Sequence, residues 1–153
     1  MSTHPQHPSP GECSRPTTPA EPALDRARVL LADDDDEMRR LLADALRLDG
    51  HDVVEARDGT GLLSLVGSTT LPTSAGRPAG VIVSDIRMPG VTGLEVLRLV
   101  RERDPLMPMV LITGFGDAET RAEAHRLGAD VVLDKPVDLY HLLEVVRLLT
   151  GTG

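Results

Sequence analysis

From Arg28 onward the chain alternates short apolar runs with segments whose apolar residues recur at helical spacing. "RVLLA" at 28–32 predicts a strand. Met38, Leu41, Leu42, Ala45 and Leu46 then fall at i, i+3, i+4, i+7 and i+8, one face of a helix that Gly50 ends. "DVVEA" at 52–56 predicts a second strand, and Leu62, Leu63 and Val66 mark a second helix after Asp58-Gly59. "GVIVSD" at 80–85 is apolar and rich in β-branched residues, the pattern of a strand buried on both faces. A turn at "MPGVTG" leads to a third helix around 93–103, and "MVLIT" at 109–113 predicts a fourth strand. "DAETRAEAHRLG" predicts a fourth helix with a weak apolar face of Ala118, Ala122 and Leu127. "DVVLD" at 130–134 predicts the fifth strand, before a last helix striped by Leu139, Leu142, Leu143, Val146 and Leu149. Five strand–helix units in strict alternation predict an α/β fold, a five-stranded parallel sheet with helices on both faces. Parallel neighbours require long, right-handed crossovers, and those crossovers carry the helices.

Two stretches lack periodicity. "GSTTLPTSAGRPAG" at 67–80 reads as a surface loop, longer than most connections and so either functional or simply mobile. Residues 1–26 hold six of the chain's 12 prolines and few apolar side chains, so burial cannot offset the entropy of ordering them. They are expected to form a flexible, Pro-rich extension, either a tether or an inert tail, ahead of one domain over 27–153.

Composition narrows the function. Phe115 and Tyr140 are the only aromatic residues, so the core must be aliphatic. The formal net charge is -8, which argues against direct contact with a nucleic-acid backbone or an anionic membrane and favours a cation or a basic partner. No run reaches the roughly 18 apolar residues of a membrane span, and no signal-peptide pattern opens the chain. The single cysteine, Cys13, excludes an internal disulfide and suits a reducing cytoplasm.

Against that background the run Asp33 to Asp36 stands out. Adjacent carboxylates repel, and one at the end of a buried strand is poorly solvated. A solvated loop is one reading of it. The other comes from the topology, because open parallel sheets bind ligands beyond the carboxyl ends of their strands. At those ends the pattern places Asp33 and Asp34 after strand one, Asp85 at strand three, Thr113 at strand four and Lys135 after strand five. Clustered carboxylates need a counter-charge, which a hard divalent cation supplies. Lys135 and Thr113 add one ammonium and one hydroxyl suited to phosphoryl oxygens, and a carboxylate can act as the nucleophile.

"LLADDDDEMRRLL", "VIVSDIRMPGVTGLEVL", "LITG" and "DKP", in this order, resemble a bacterial two-component response-regulator receiver domain over residues 28 to about 150. The resemblance implies the flavodoxin-like strand order 2-1-3-4-5 and a single-domain signalling phosphoacceptor rather than an enzyme with a substrate. It implies that Asp85 takes a phosphoryl group from a histidine kinase or histidine phosphotransfer protein. It also implies a Mg²⁺ site at Asp33, Asp34, Asp85 and the Arg87 backbone carbonyl. Thr113 and Lys135 would contact the phosphoryl group, and Lys135-Pro136 would be a cis peptide. With no output domain after residue 153, readout is expected through a partner protein rather than nucleic acid.

The chain departs from the family at Val132, where many receivers carry a switching Tyr or Phe, and at Val137, where Phe is common. Val132 keeps open a phosphorylation-independent interaction module. A Mg²⁺-dependent phosphatase with an aspartyl nucleophile is a further alternative, weakened by Arg87 where such enzymes commonly place a second acid. Asp36 is expected to cap the first helix, with Asp35 in solvent. Thr113 could be an ordinary strand-end hydroxyl and Lys135 a guard of the sheet edge. His51, His125 and His141 show no metal spacing and read as surface or packing residues.

Overall fold

The computed structural model describes residues 27–69, 79–114 and 117–151. The predicted extension at 1–26, Phe115 and most of the 67–80 loop lie outside them. The strands are β1 (Arg28–Ala32), β2 (Asp52–Ala56), β3 (Ala79–Asp85), β4 (Met109–Thr113) and β5 (Val131–Asp134). The helices are α1 (Asp36–Leu48), α2 (Gly59–Thr69), α3 (Gly93–Arg103), α4 (Ala118–Leu127) and α5 (Leu139–Thr150). All five strands pair in parallel in the order β2-β1-β3-β4-β5, as the alternation and the resemblance predict. The helical period runs further into 67–80 than the composition suggests, since α2 continues to Thr69.

Strand side chains alternate between two cores, one on each side of the sheet. Leu30, Ala32, Ile82, Met109 and Leu111 pack toward Leu62, Val96, Leu97 and Ala124 of α2, α3 and α4. Val29, Leu31, Val81, Val83, Val110 and Ile112 pack toward Leu42, Leu46, Leu142 and Val146 of α1 and α5. Both cores are aliphatic; Tyr140 is 85% exposed. Each fully buried Leu or Ile contributes about 1.5–3 kcal/mol, enough summed over these layers to fix the register of the inner strands. Among the described residues no helix is long and apolar enough to cross a membrane.

The helix faces depart from the sequence reading at two places. In α1 the buried residues are Arg39, Leu42, Ala43 and Leu46, while Leu41, expected inside, is 50% exposed. The inner stripe is thus rotated, and the aliphatic stem of Arg39 takes part in it. In α4 the predicted Ala118 and Ala122 are exposed and Ala124 is buried instead.

Candidate functional site

β1 ends at Ala32, whose Cα partner in β3 is Ser84, one residue before Asp85. β3 in turn sets Asp85 beside Ile112 of β4, and β4 sets Thr113 beside Asp134 of β5. Parallel pairing therefore delivers the residues after β1 and those ending β3, β4 and β5 to one edge. There Asp33, Asp34 and Asp85 each offer a carboxylate oxygen, all within 4.8 Å of one another. Lys135 Nζ donates to Asp85 Oδ2 at 3.0 Å, and its backbone N–H donates to the Thr113 carbonyl at 2.9 Å. The Lys135-Pro136 bond is cis.

Local sequence builds the framework. Asp33 is fully buried and held at both ends of its backbone. Its N–H donates to the Ala56 carbonyl and its own carbonyl accepts from Arg39 Nη1 at 2.8 Å. After Asp85 the chain turns through "IRMPGVT". Thr92 and Glu95 close a reciprocal cap on α3, and the Gly93 N–H donates to the Ile86 carbonyl at 2.8 Å. A Cβ at Gly93 would stand 2.5 Å from the Asp85 carbonyl oxygen, so only glycine lets α3 start this close to the acid.

The four consecutive acids divide their work. Asp33 and Asp34 face the cluster. Asp35, not Asp36, is the N-cap of α1: its carboxylate accepts from the Glu37 and Met38 amides. Asp36 is already helical and pairs with Arg39 at 2.8 Å. The expectation for these two acids was reversed, because the helix starts at Asp36, one residue earlier than a cap at that residue would allow.

The electrostatics leave the cluster short of positive charge. Burial lifts the Asp33 carboxyl to about 6, with the charges of Asp85 and Asp34 adding to it and the Asp35 amide and Lys135 opposing. Burial alone would lower the Lys135 ammonium. The hydrogen bond and charge of Asp85, joined by Asp33 and Asp34, outweigh it and raise it. Asp33 Oδ2 and Thr113 Oγ1 are buried with no hydrogen-bond partner among the described residues. Buried polar atoms are seldom left so, and orphans of this kind in a polar cleft fit a ligand. An all-oxygen carboxylate set matches a hard cation such as Mg²⁺ rather than a softer metal.

Arg87 shares an open depression of about 360 Å³ with Asp34, Met88, Pro89 and Thr92. Its side chain is 75% exposed and reaches away to Asp117, the N-cap of α4, at 2.9 Å. Asp134 is drawn off by Arg121 of α4, so it does not join the acids. Val132 is buried among aliphatic neighbours. His51 is buried at the opposite edge, and His125 and His141 are exposed.

Sequence reasoning missed Arg39 and Asp117. The i, i+3 spacing of Asp36 and Arg39 was a local signal for the first. Nothing local marks the pairing of Asp117 with Arg87, thirty residues away.

This fold and edge recur in known proteins. The chain is 39% identical over 131 residues to the C4-dicarboxylate transport transcriptional regulatory protein DctD of Pseudomonas aeruginosa, covering 85% of this chain and 26% of that protein. It is 36% identical over 125 residues to the transcriptional regulatory protein FixJ of Azorhizobium caulinodans, covering 80% of this chain and 54% of that protein. The chain thus spans about a quarter of the first of these relatives and about half of the second. The receiver domain of NtrX from Brucella abortus superposes with a TM-score of 0.71 at 28% identity, covering 82% of this chain and 99% of that domain. A receiver domain protein from Clostridium thermocellum gives 0.74 at 25% identity, covering 82% and 95%. The response regulator receiver domain family matches residues 29–147, and the chain belongs to that family of two-component signalling domains.

Proposed function

We propose that residues 27–153 act as a phosphorylation-controlled switch, with Asp85 as the phosphoacceptor and Mg²⁺ as the required cation. The observation that carries this reading is three carboxylates within 4.8 Å of one another with, among the described residues, only Lys135 in contact to offset them and two buried polar atoms beside them without partners. Asp33 and Asp34 would hold the metal with Asp85 and the Arg87 carbonyl. When bound, Mg²⁺ supplies positive charge to the transferring phosphoryl oxygens.

The chain's own residues supply the rest. An Asp85 carboxylate oxygen attacks the phosphorus of a phosphohistidine on a kinase or phosphotransfer protein. The new O–P bond makes an acyl phosphate, the P–N bond breaks, and its electron pair stays on the imidazole. Lys135, already at 3.0 Å from the nucleophile, exchanges a carboxylate for a phosphoryl oxygen. Thr113 turns its unpartnered hydroxyl to the same group as donor. Hydrolysis by water reverses the state. The added charge then shifts the preferred conformation of the β4–α4–β5 surface, which a partner protein reads. We place the activity in the cytoplasm, with no direct contact to nucleic acid, and residues 1–26 outside the switch itself.

The test is incubation of the whole chain with acetyl phosphate and Mg²⁺, reductive trapping of the acyl phosphate, and mass spectrometry of peptides. Label at residue 85, absent from Asp85→Ala and without Mg²⁺, is the expected result. Val132, buried where an aromatic ring would rotate, favours a second reading as a phosphorylation-independent docking module. Wild type without label under these conditions would establish that reading instead.

A further inference from the structure

Arg39 is the buried cation of the site's neighbourhood that no step above uses. It lies on the first turn of α1, 8% exposed, and points back under the acidic turn. Each arm of its guanidinium is committed. Nη1 donates to the Asp33 carbonyl at 2.8 Å, Nη2 to Asp36 Oδ1 at 2.8 Å and Nε to Glu55 Oε1 at 3.1 Å. Glu55 stands on β2 and is shared with Arg47, whose own Nη2 holds the Val53 carbonyl.

Two consequences follow. A planar peptide whose carbonyl is pinned has its next amide and Cα directed as well, so the bond to Asp33 orients the entry into Asp34. The Asp33 carboxylate is held separately, by the Asp35 N–H at 2.9 Å. Secondly, the Arg39 charge is matched by Asp36 and Glu55 and forms no ion pair with the carboxylates of Asp33, Asp34 or Asp85. A cation can thus be buried beside the cluster while the cluster keeps its negative charge for a metal. Lysine carries its three donors on one nitrogen and lacks the planar fork by which Arg39 meets three separate acceptors.

We propose that Arg39 is a positioning residue for the magnesium site, fixing the Asp33–Asp34 turn from behind through the Asp33 carbonyl. This rests on the Mg²⁺ reading above. Supporting groups of this kind change metal affinity by about 10–100-fold when removed.

The experiment is calorimetric titration of Mg²⁺ into the metal-free full chain at neutral pH, with wild type, Arg39→Met, Arg39→Lys, Glu55→Gln and Asp33→Asn. Expected are a Kd weakened about tenfold or more in Arg39→Met, a value for Arg39→Lys nearer to that variant than to wild type, and a Glu55→Gln value within about twofold of wild type despite a lowered Tm. Wild-type affinity in Arg39→Met, or equal weakening in Glu55→Gln, would overturn the proposal in favour of a general tie between α1 and β2. If Arg39→Met does not fold, Arg39→Lys carries the comparison. Wild type that binds no better than Asp33→Asn would remove the magnesium reading itself. Metal-free amide exchange then still decides the positioning. The Asp35 N–H must exchange faster in Arg39→Lys than in Glu55→Gln, and equal rates would sink it.

Discussion

The two edges of the sheet hold similar residue types and opposite electrostatics. At the amino edge, Arg28 pairs with Asp52, and Arg147 takes Asp49 with both Nε and Nη2. Arg101 there reaches the Gly128 carbonyl at 2.8 Å, the Met107 carbonyl at 2.6 Å and Asp130 at 3.0 Å. At the carboxyl edge three acids converge on one lysine, and two buried oxygens find no partner among the described residues. Apart from His51, whose buried ring nitrogens find no hydrogen-bond partner among the described residues, the amino edge is arranged for stability. The carboxyl edge gives up stability to hold a charge excess, the pattern expected where a fold keeps a site ready for a ligand.

The largest expected effect tests the amino edge. Arg101→Met takes the Arg101 donor from two backbone carbonyls and leaves Asp130 with only the Met109 N–H, and should destabilise the chain by about 2–4 kcal/mol in denaturant unfolding. A change within error would show that this edge is not held by its ion pairs.

Next comes the reverse sign at the other edge. The folded Asp33 carboxyl, raised from 3.8 to about 6, keeps its proton longer than in the unfolded chain. Its contribution to stability is present below about 4 and lost as pH rises to about 6. Metal-free Asp33→Asn should therefore exceed wild type in stability by about 1–3 kcal/mol at pH 7, the gap closing toward pH 4. A destabilised variant at pH 7 would contradict the charge-excess account.

Magnesium should narrow the contrast. At ten times its Kd it adds about 1.4 kcal/mol to wild type, read as a rise in Tm, and adds nothing to Asp33→Asn. Equal rises in both would place the ion elsewhere.

The smallest effect belongs to His51, buried at the amino edge with Nε2 3.4 Å from Asp49. Burial lowers its imidazole, against the pull of the Asp49 carboxylate, so the unfolded chain takes the proton first. Its contribution is present above about 6.5 and lost as pH falls below that. In an Asp33→Asn background, which removes the opposing titration, His51→Gln should flatten the fall in stability from pH 6.5 to 5. An unchanged slope would assign that fall to other groups.

The sequence reading and the structure part company inside the acidic run. The spacing placed Asp33 and Asp34 at the edge, yet did not show that Asp35 rather than Asp36 caps α1 or that Asp36 serves Arg39. A charged residue next to exposed Arg40 reads as solvated. Arg39 is buried because Asp36, the Asp33 carbonyl and Glu55 meet its fork, and Glu55 lies sixteen residues on. Leu41 was assigned inward for the same reason, since periodicity finds a stripe but not its rotation against the sheet.

By itself the order of apolar and polar residues determined the five strand–helix units. That order, with short connections and right-handed crossovers, was enough to bring Asp33, Asp34, Asp85, Thr113 and Lys135 to one edge, because strand polarity is a property of the chain path. Tertiary structure alone decided which of the acids stay unneutralised and which hydroxyl is left without a partner among the described residues, and which arginine is buried beneath them. Those outcomes depend on distances between segments far apart in the chain. Coulomb and desolvation energies change by kilocalories over the few ångströms that packing sets and sequence spacing does not.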